Sequence, residues 1–199
     1  MEDTDFRFGE IANDDVTIRY AAAGDPAAPL LLMLHGFPEY WAAWAKVMTR
    51  LADRFHVVAP DQRGYNLSSK PQGVEAYRAR YLAADVAALA DTLSPGRRFV
   101  LAGHDWGASV AYAYAFAHPD RLSHLVIANG VHPACFQRAI FGDEGQRKAS
   151  QYMNRLKAAD AEQLLSEDDY RRLMRMISGF SRSDWMTEAE AAAYRHVWS

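Results

Sequence analysis

Leu101-Ala-Gly-His-Asp-Trp-Gly-Ala108 joins an apolar run to an alanine-rich run, and this stretch decides the fold. Asp105 stands in its middle, with Gly103 two residues before it and Gly107 two residues after it. A nucleophile held on a sharp strand–turn–helix junction needs small residues at these spacings, because larger side chains would clash. The pattern therefore predicts a strand at 99–103, a helix at 106–117 and a sharp turn between them that carries Asp105, at the place where such a fold holds its nucleophile.

Asp105 has a second interpretation, because aspartate is also a favoured residue at the start of a helix. The motif alone does not choose between a nucleophile and a helix cap. At a helix N-terminus, backbone N–H groups and the positive end of the helix dipole stabilise a negative charge. Two companion motifs elsewhere in the chain favour the nucleophile.

The companion motifs each follow a short apolar run that predicts a strand. His35-Gly-Phe-Pro38 follows the run at 30–34, and Asp61-Gln-Arg-Gly64 follows the run at 55–59. When a nucleophile stands on such a turn, backbone N–H groups from a neighbouring loop and from the next residue hold the developing oxyanion. The predicted donors are the amides of Phe37 and Trp106. We interpret Asp61 and Arg63 as a structural pair that bond to each other and hold their turn.

The first two thirds of the chain alternate between predicted strands and predicted helices. This alternation predicts an α/β fold with a mostly parallel sheet, opened by an antiparallel hairpin. From residue 134 onward no strand is predicted, and the boundary falls near residue 132. The predicted strands cover 6–11, 16–22, 30–34, 55–59, 99–103 and 122–128, and the predicted helices cover 41–51, 81–93, 106–117, 146–156, 160–165, 168–177 and 188–198. Capping-box spacing marks two helix starts, at Ser166 with Asp169 and, as the better match, at Thr187 with Glu190.

The composition limits the classes of partner. The 199 residues carry a formal net charge of −3 and are 50% hydrophobic, which is typical of a globular protein and gives no reason to expect nucleic acid. Cys135 is the single cysteine, so an intramolecular disulfide is excluded, and we interpret it as a small packed side chain. The sequence shows no signal-peptide pattern and no apolar run of the ~18–20 residues that a membrane span needs. We expect a cytoplasmic protein without a cofactor, a metal or a membrane.

Together the motifs resemble those of the epoxide hydrolases of the α/β-hydrolase fold. The resemblance rests on His35-Gly-Phe-Pro38, on Asp61-Gln-Arg-Gly-Tyr-Asn-Leu-Ser-Ser-Lys-Pro71 and on Gly103-His-Asp-Trp-Gly107, and it covers most of residues 30–160. It implies an α/β-hydrolase core at 1–132 and a helical cap at 133–199, with about six of the usual eight strands.

The resemblance also implies a mechanism. The aspartate of this family attacks a carbon of the epoxide ring and forms a glycol ester, while tyrosines of the cap protonate the ring oxygen. Asp105 matches the nucleophile, and Tyr152 matches one cap tyrosine in its placement. A substrate pocket formed by His35, Phe37, Pro38, Trp106, Phe136 and Tyr152 would accept an apolar epoxide.

One part of that mechanism has no match in these 199 residues. The family's catalytic histidine and its acidic partner follow two further strands, and neither strand is predicted here. We expect both residues to come from a missing C-terminal part or from a second chain that completes the sheet. If the 199 residues were everything, the ester on Asp105 would have no base to hydrolyse it, and turnover would not occur.

Two alternatives remain open from the sequence. Haloalkane dehalogenases share the aspartate and the tryptophan after it, but they usually carry Asn or Glu where this chain has Phe37. A catalytically incomplete chain with a binding or assembly role is the alternative of another class, and its sign would be an apolar sheet edge covered by a partner.

Overall fold

The computed structural model describes residues 6–179 and 185–199, and in these residues it has six strands and eight α-helices. The chain forms two compact units, Met1–Val131 and His132–Ser199. In chain order the elements of the first unit are β1 (Arg7–Asn13), β2 (Val16–Ala23), β3 (Leu30–Leu34), α1 (Ala45–Leu51), β4 (His56–Pro60), α2 (Ala79–Leu93), β5 (Phe99–His104), α3 (Trp106–Ala117) and β6 (Leu122–Ala128). Short 3-10 helices precede α1, α2 and β6, at Trp41–Trp44, Val74–Tyr77 and Pro119–Arg121.

The six strands form one sheet in the order β1-β2-β4-β3-β5-β6. The hairpin of β1 and β2 is antiparallel and joins β4 in antiparallel pairing, and β4, β3, β5 and β6 run parallel to one another. The predicted α/β fold with a mostly parallel sheet is therefore confirmed. Because β3 lies beside both β4 and β5, the three motif loops that follow these strands leave the same edge of the sheet.

The core of the first unit has one layer on each face of the sheet. Leu30, Leu32 and Leu34 alternate with Leu31 and Met33 along β3, so the strand is buried on both faces, as its continuous apolar run predicts. One face packs against α2 and α3, whose buried residues include Leu89 and Val110, and the other face packs against α1 through Met48. At about 25 cal/mol per Å² of buried apolar surface, this double burial stabilises the centre of the sheet most.

The described residues of the second unit form five helices joined by short turns and no strand. Its helices are α4 (Pro133–Gly142), α5 (Glu144–Ala149), α6 (Gln151–Leu156), α7 (Ala161–Ser178) and α8 (Glu188–Trp198). Helix α4 is not among the helices predicted from the sequence; it begins with Pro133, at a first helical position that tolerates proline. The backbone of α7 is not helical at 167–170. A break therefore follows the predicted helix at 160–165, but the first three residues of the predicted helix at 168–177 belong to this break.

The two predicted capping boxes have different outcomes. The Thr187 side chain accepts a hydrogen bond from the Glu190 amide, and Glu190 accepts one from the Thr187 amide, so this capping box is confirmed. The Ser166 box is wrong, because Ser166 lies inside α7 and its hydroxyl donates to the carbonyl of Gln163. The interpretation of Cys135 as a packed side chain is also wrong, because Cys135 is exposed.

Candidate active site

Asp105 stands on the turn between β5 and α3 in a strained backbone conformation. Its φ of 50° and ψ of −115° lie outside the regions that non-glycine residues ordinarily adopt, which costs about 1–3 kcal/mol. Its amide donates to the carbonyl of Ala128 over 3.2 Å, and its own carbonyl accepts from Ala108 over 3.1 Å. These bonds hold the turn so that the Asp105 side chain is exposed.

The glycines on both sides of Asp105 are required by close backbone contacts. A Cβ on Gly107 would lie 2.5 Å from the carbonyl oxygen of His35, and a Cβ on Gly103 would lie 2.5 Å from the carbonyl oxygen of Gly107. No side chain fits at such distances, so α3 can begin against the end of β3 only where glycine stands. The spacing of small residues in the sequence therefore reflects a real steric demand.

The loop after β3 places a hydrogen-bond donor on the Asp105 carboxylate. The Phe37 amide donates to Asp105 Oδ1 over 3.0 Å. The loop lies so close that a Cβ on Gly36 would be 2.7 Å from Asp105 Cβ. Trp106 is the first residue of α3, where backbone N–H groups have no partner within the helix. The pair of oxyanion donors, Phe37 and Trp106, stays a prediction, and the geometry at Phe37 supports it.

The buried His35 ring holds this loop through hydrogen bonds. Its ring is fully buried, its Nδ1 lies 2.8 Å from the carbonyl oxygen of Gly36, and its Nε2 lies 3.1 Å from the amide of Gln62. A carbonyl can only accept and an amide can only donate, so the ring is neutral with its proton on Nδ1. Burial lowers the pKa of His35 to about 4, which agrees with a neutral ring. The His35 side chain has no exposed surface, and its expected place in the substrate pocket stays a prediction.

Glu39 and His104 form a pair that was not predicted from the sequence. Glu39 Oε2 accepts a hydrogen bond from the Gly36 amide over 2.7 Å and lies 3.0 Å from His104 Nδ1. Burial opposes the charge of Glu39, but the hydrogen bonds from His104 and Gly36 hold its pKa below the usual value. The hydrogen bond to Glu39 raises the pKa of His104. An acidic residue directly after Pro38, in a loop that must be held against a nucleophile, is the signal that could have found this pair.

The motif at 61–64 holds its turn differently from the prediction. Asp61 accepts from the Trp41 amide over 3.0 Å and from the Asn66 side chain over 2.8 Å. Arg63 instead forms a bidentate pair with Asp85 of α2, over 2.7 and 2.8 Å. The predicted bond between Asp61 and Arg63 is therefore wrong, because each side chain reaches a separate element and joins the turn to it.

A cavity of about 310 Å³ lies in the first unit beside the nucleophile turn. Phe37 and Trp106 line it on one side, where they are 36% and 50% exposed. Residues 62–65, Tyr77 and Leu82 line the rest. Ligand pockets in proteins have volumes of roughly 300 Å³ and above, so this cavity is large enough for a small organic group.

The remaining predicted site residues divide between the two units. Pro38 is buried in the loop of the first unit. Tyr152 lies in α6 of the second unit and is 51% exposed, and Phe136 lies half-buried in α4. The first unit thus brings together Asp105, Phe37 and Trp106. The His132 ring accepts from the Ala134 amide over 3.3 Å at the start of α4, which is a capping role.

Among the residues that the structure describes, no group of three or more His, Cys, Asp or Glu side chains could hold a metal ion. No helix at 6–179 or 185–199 is long and apolar enough to cross a membrane.

Comparison with known proteins agrees with this geometry. The pattern of the α/β-hydrolase fold family matches residues 29–195. The chain is similar to the AB hydrolase superfamily protein YfhM of Bacillus subtilis, at 35% identity over 190 residues, which are 94% of this chain and 66% of the relative. It is also similar to epoxide hydrolase A of Mycobacterium tuberculosis, at 37% identity over 177 residues, which are 85% of this chain and 53% of the relative.

Solved structures agree as well. A mutant of an epoxide hydrolase from Bacillus megaterium, complexed with its product, a naphthyloxy-propane-1,2-diol, superposes with a TM-score of 0.89 at 30% identity. The match covers 96% of this chain and 66% of that one. The chain thus spans from about half to just under two thirds of the length of these proteins. With Asp105 on the turn between β5 and α3, a six-stranded sheet and a matching family pattern, the chain belongs to the α/β-hydrolase fold family.

Proposed function

We propose that this chain carries the nucleophile of an epoxide hydrolase that converts an apolar epoxide to a vicinal diol. The observation that carries the proposal is the exposed Asp105 carboxylate on its strained turn, with Oδ1 accepting from the Phe37 amide over 3.0 Å. Epoxide hydrolases among the similar proteins, at 30 to 37% identity, support it. The aryloxy diol bound to the Bacillus megaterium enzyme supports an apolar, aromatic substrate.

The first proposed step is the opening of the epoxide ring by Asp105. One carboxylate oxygen attacks a ring carbon, the bond between that carbon and the ring oxygen breaks, and a glycol ester forms. The ring oxygen leaves as an alkoxide, which takes its proton from a phenol. We assign this role to Tyr152 by its resemblance to a cap tyrosine, with residues 133–199 as the cap.

The second proposed step is hydrolysis of the ester. Water adds to the ester carbonyl carbon of Asp105, and the negative charge on the carbonyl oxygen is held by the Phe37 and Trp106 amides. Collapse of this intermediate releases the diol and restores the carboxylate. A base must remove a proton from the water, and we propose that a histidine from a further polypeptide segment supplies it.

The outer edge of β6 supports the addition of such a segment. No strand within the described residues pairs with this edge of the sheet. Leu125 is 36% exposed and Val126 is 50% exposed. Because consecutive strand residues point to opposite faces, β6 leaves apolar surface uncovered on both faces of the sheet. We propose that further strands pair with this edge and carry the histidine and its acidic partner.

The single cysteine supports our proposal of a cytoplasmic location.

Intact-mass analysis of the 199-residue chain after incubation with styrene oxide tests the first step. We expect a stable adduct of one epoxide that is lost in Asp105→Ala and kept in Asp120→Ala, which removes an exposed aspartate. If the folded chain forms no adduct, the proposal that Asp105 is the nucleophile is contradicted. An adduct with a chloroalkane but none with the epoxide would favour a haloalkane dehalogenase. Rapid diol formation by the purified chain alone would show that the base lies within these residues.

Extension of the chain tests the second step. The C-terminal portion of the Bacillus megaterium enzyme that lies beyond the matched region, fused after Ser199, should convert the stable adduct into diol turnover. Asp105→Ala in the fusion is the matched control and should abolish turnover. A folded fusion that still accumulates the adduct would contradict the proposal that the β6 edge receives the missing strands.

A further inference from the structure

Asn129 and Gly130 form the turn at which the chain leaves the last strand of the sheet. Asn129 directly follows Ala128, where β6 ends, and it is exposed. Its φ of 50° lies in the left-handed region, which asparagine enters more easily than most residues. Of the four asparagines in the sequence, Asn129 is the one that precedes a glycine.

Glycine at position 130 is required by close packing. A Cβ there would lie 2.3 Å from the Cβ of Ala108 and 2.8 Å from Cγ2 of Ile127. The Ala108 Cβ is fixed to the backbone of α3 and cannot turn away, so no larger residue fits. The packing of the sheet against α3 therefore keeps a glycine directly after an exposed asparagine.

An asparagine before a glycine is open to attack by its own backbone, and asparagine is among the thermolabile residues. The Gly130 nitrogen can add to Cγ of Asn129, because glycine has no Cβ to hinder the approach. A bond forms between this nitrogen and Cγ, the bond from Cγ to the side-chain nitrogen breaks, and ammonia leaves with the proton of the Gly130 amide. Water then opens the succinimide ring. Opening at the backbone carbonyl gives isoaspartate, and opening at Cγ gives aspartate.

Asn66 offers a comparison within the same chain, because its φ of 40° is also left-handed. Its side-chain nitrogen donates to Asp61 Oδ2 over 2.8 Å, which fixes the amide, and the branched side chain of Leu67 hinders the nitrogen that would attack. Within residues 6–179 and 185–199, no hydrogen bond holds the side-chain amide of Asn129. The attack is therefore expected at Asn129 and not at Asn66.

Both neighbours of Asn129 contact the turn that carries Asp105. The Ala128 carbonyl accepts a hydrogen bond from the Asp105 amide over 3.2 Å. Gly130 packs on Ala108, whose amide donates to the Asp105 carbonyl over 3.1 Å. Isoaspartate carries the main chain through its Cβ and so adds one backbone atom between these two contacts. The two contacts could not both keep their positions.

We propose that Asn129 is a site of spontaneous deamidation, and that the isoaspartate formed there displaces the turn that carries Asp105. The reaction needs water alone as co-reactant. The site itself is independent of the proposed function, whereas its effect on activity rests on that function.

Peptide mapping of the folded 199-residue chain after incubation at mildly alkaline pH tests the site, with a chain digested before incubation as the baseline. We expect isoaspartate in the tryptic peptide 122–138, detected by the mass change from NH2 to OH and by labelling with an isoaspartyl methyltransferase. The peptides that contain Asn13, Asn66 and Asn154 should stay unmodified. If 122–138 is modified in urea but not in the folded chain, the fold protects Asn129 and the proposal is overturned. Equal modification of Asn66 in the folded chain would overturn it as well.

The effect on the nucleophile is measured by adduct formation with styrene oxide. The modified chain, separated by anion exchange through its additional negative charge, should react about a hundredfold more slowly, as expected for a displacement of about 1 Å. Asn129→Gly tolerates the left-handed backbone and cannot deamidate, so it should keep its rate through the same incubation. Freshly prepared Asn129→Asp has the charge without the additional backbone atom and should react like the fresh wild-type chain.

The outcomes separate this inference from the proposed function. If the isoaspartate form reacts at the rate of the fresh chain, or if Asn129→Asp is as slow as the isoaspartate form, the displacement of the turn is contradicted. If the fresh chain forms no adduct, the proposed function fails, and the peptide map alone still decides whether Asn129 is a deamidation site.

Discussion

Glu39 Oε2 lies 3.0 Å from His104 Nδ1, and the same oxygen accepts a hydrogen bond from the Gly36 amide. One carboxylate oxygen thus joins the loop after β3 to the last residue of β5, directly before Asp105. Since Phe37 follows Gly36 and donates to Asp105, this pair holds both the nucleophile turn and its hydrogen-bond donor.

Replacing Glu39 by Gln should lower the pKa of His104, because the hydrogen bond to Glu39 raises it. Because the pKa of Glu39 is lower in the folded chain, Glu39 stabilises the fold at pH values above 4.5, the ordinary pKa of a glutamate. This contribution is lost as the pH falls through the lowered pKa. Because the pKa of His104 is higher in the folded chain, His104 stabilises the fold at pH values below 6.5, the ordinary pKa of a histidine. This contribution is lost as the pH rises through the raised pKa. The substitution should therefore cost about 1 kcal/mol near pH 5.5 and less near pH 9.

Urea unfolding at both pH values and NMR titration of the imidazole protons measure these effects. Glu75→Gln is the matched control, since Glu75 belongs to an exposed ion pair with Arg78. It should change the free energy of unfolding by less than about 0.5 kcal/mol. A His104 pKa that does not fall in Glu39→Gln would contradict the role of the pair.

His35 should make the fold sensitive to acid. Burial lowers its pKa from 6.5 to about 4, so between these values the unfolded chain binds a proton that the folded chain does not. The free energy of unfolding should fall by about 3 kcal/mol as the pH falls from 6.5 to about 4. Above pH 6.5 the ring is neutral in both the folded and the unfolded chain, and the full free energy of unfolding is present. His35→Gln should flatten this part of the pH profile, whereas His124→Gln, at an exposed position, should not. If His35→Gln does not fold, an imidazole of wild-type His35 that titrates near 6.5 would show the expectation to be wrong.

Gly36→Ala should displace the nucleophile. The new Cβ would lie 2.7 Å from Asp105 Cβ and 2.9 Å from Asp105 Oδ1, so one of the two side chains must move. A misplacement of about 1 Å lowers a reaction rate by about a hundredfold, and we expect a loss of this size in adduct formation with styrene oxide. Gly142→Ala is the control, because a Cβ there would meet nothing within 4 Å. A folded Gly36→Ala chain that forms the adduct at the wild-type rate would contradict the contact.

Asp85→Asn should destabilise the first unit strongly. It removes the charge that pairs with the buried Arg63 and leaves the guanidinium uncompensated, which costs about 3–5 kcal/mol. Chemical denaturation measures this loss, with Glu75→Gln again as the exposed comparison. Equal effects of the two substitutions would mean that the Arg63–Asp85 pair is solvated.

The turn that carries Asp105 and the parallel sheet could both be predicted from the sequence, because each follows from local steric and hydrophobic demands. Gly103 and Gly107 stand where any side chain would clash with backbone, and the continuous apolar run of β3 is typical of a strand in a parallel sheet that is covered on both faces. These demands act within a few residues along the chain, so they can be seen in its pattern.

The tertiary structure alone decided which polar groups meet. Asp61 and Arg63 are two residues apart, and proximity in the chain predicted that they would bond to each other. Arg63 instead pairs with Asp85, which the packing of α2 against the sheet brings within 2.7 Å. Glu39 and His104 are 65 positions apart and meet only because β3 and β5 lie side by side. A buried charge pairs with the opposite charge that packing places beside it, and this packing depends on the complete fold.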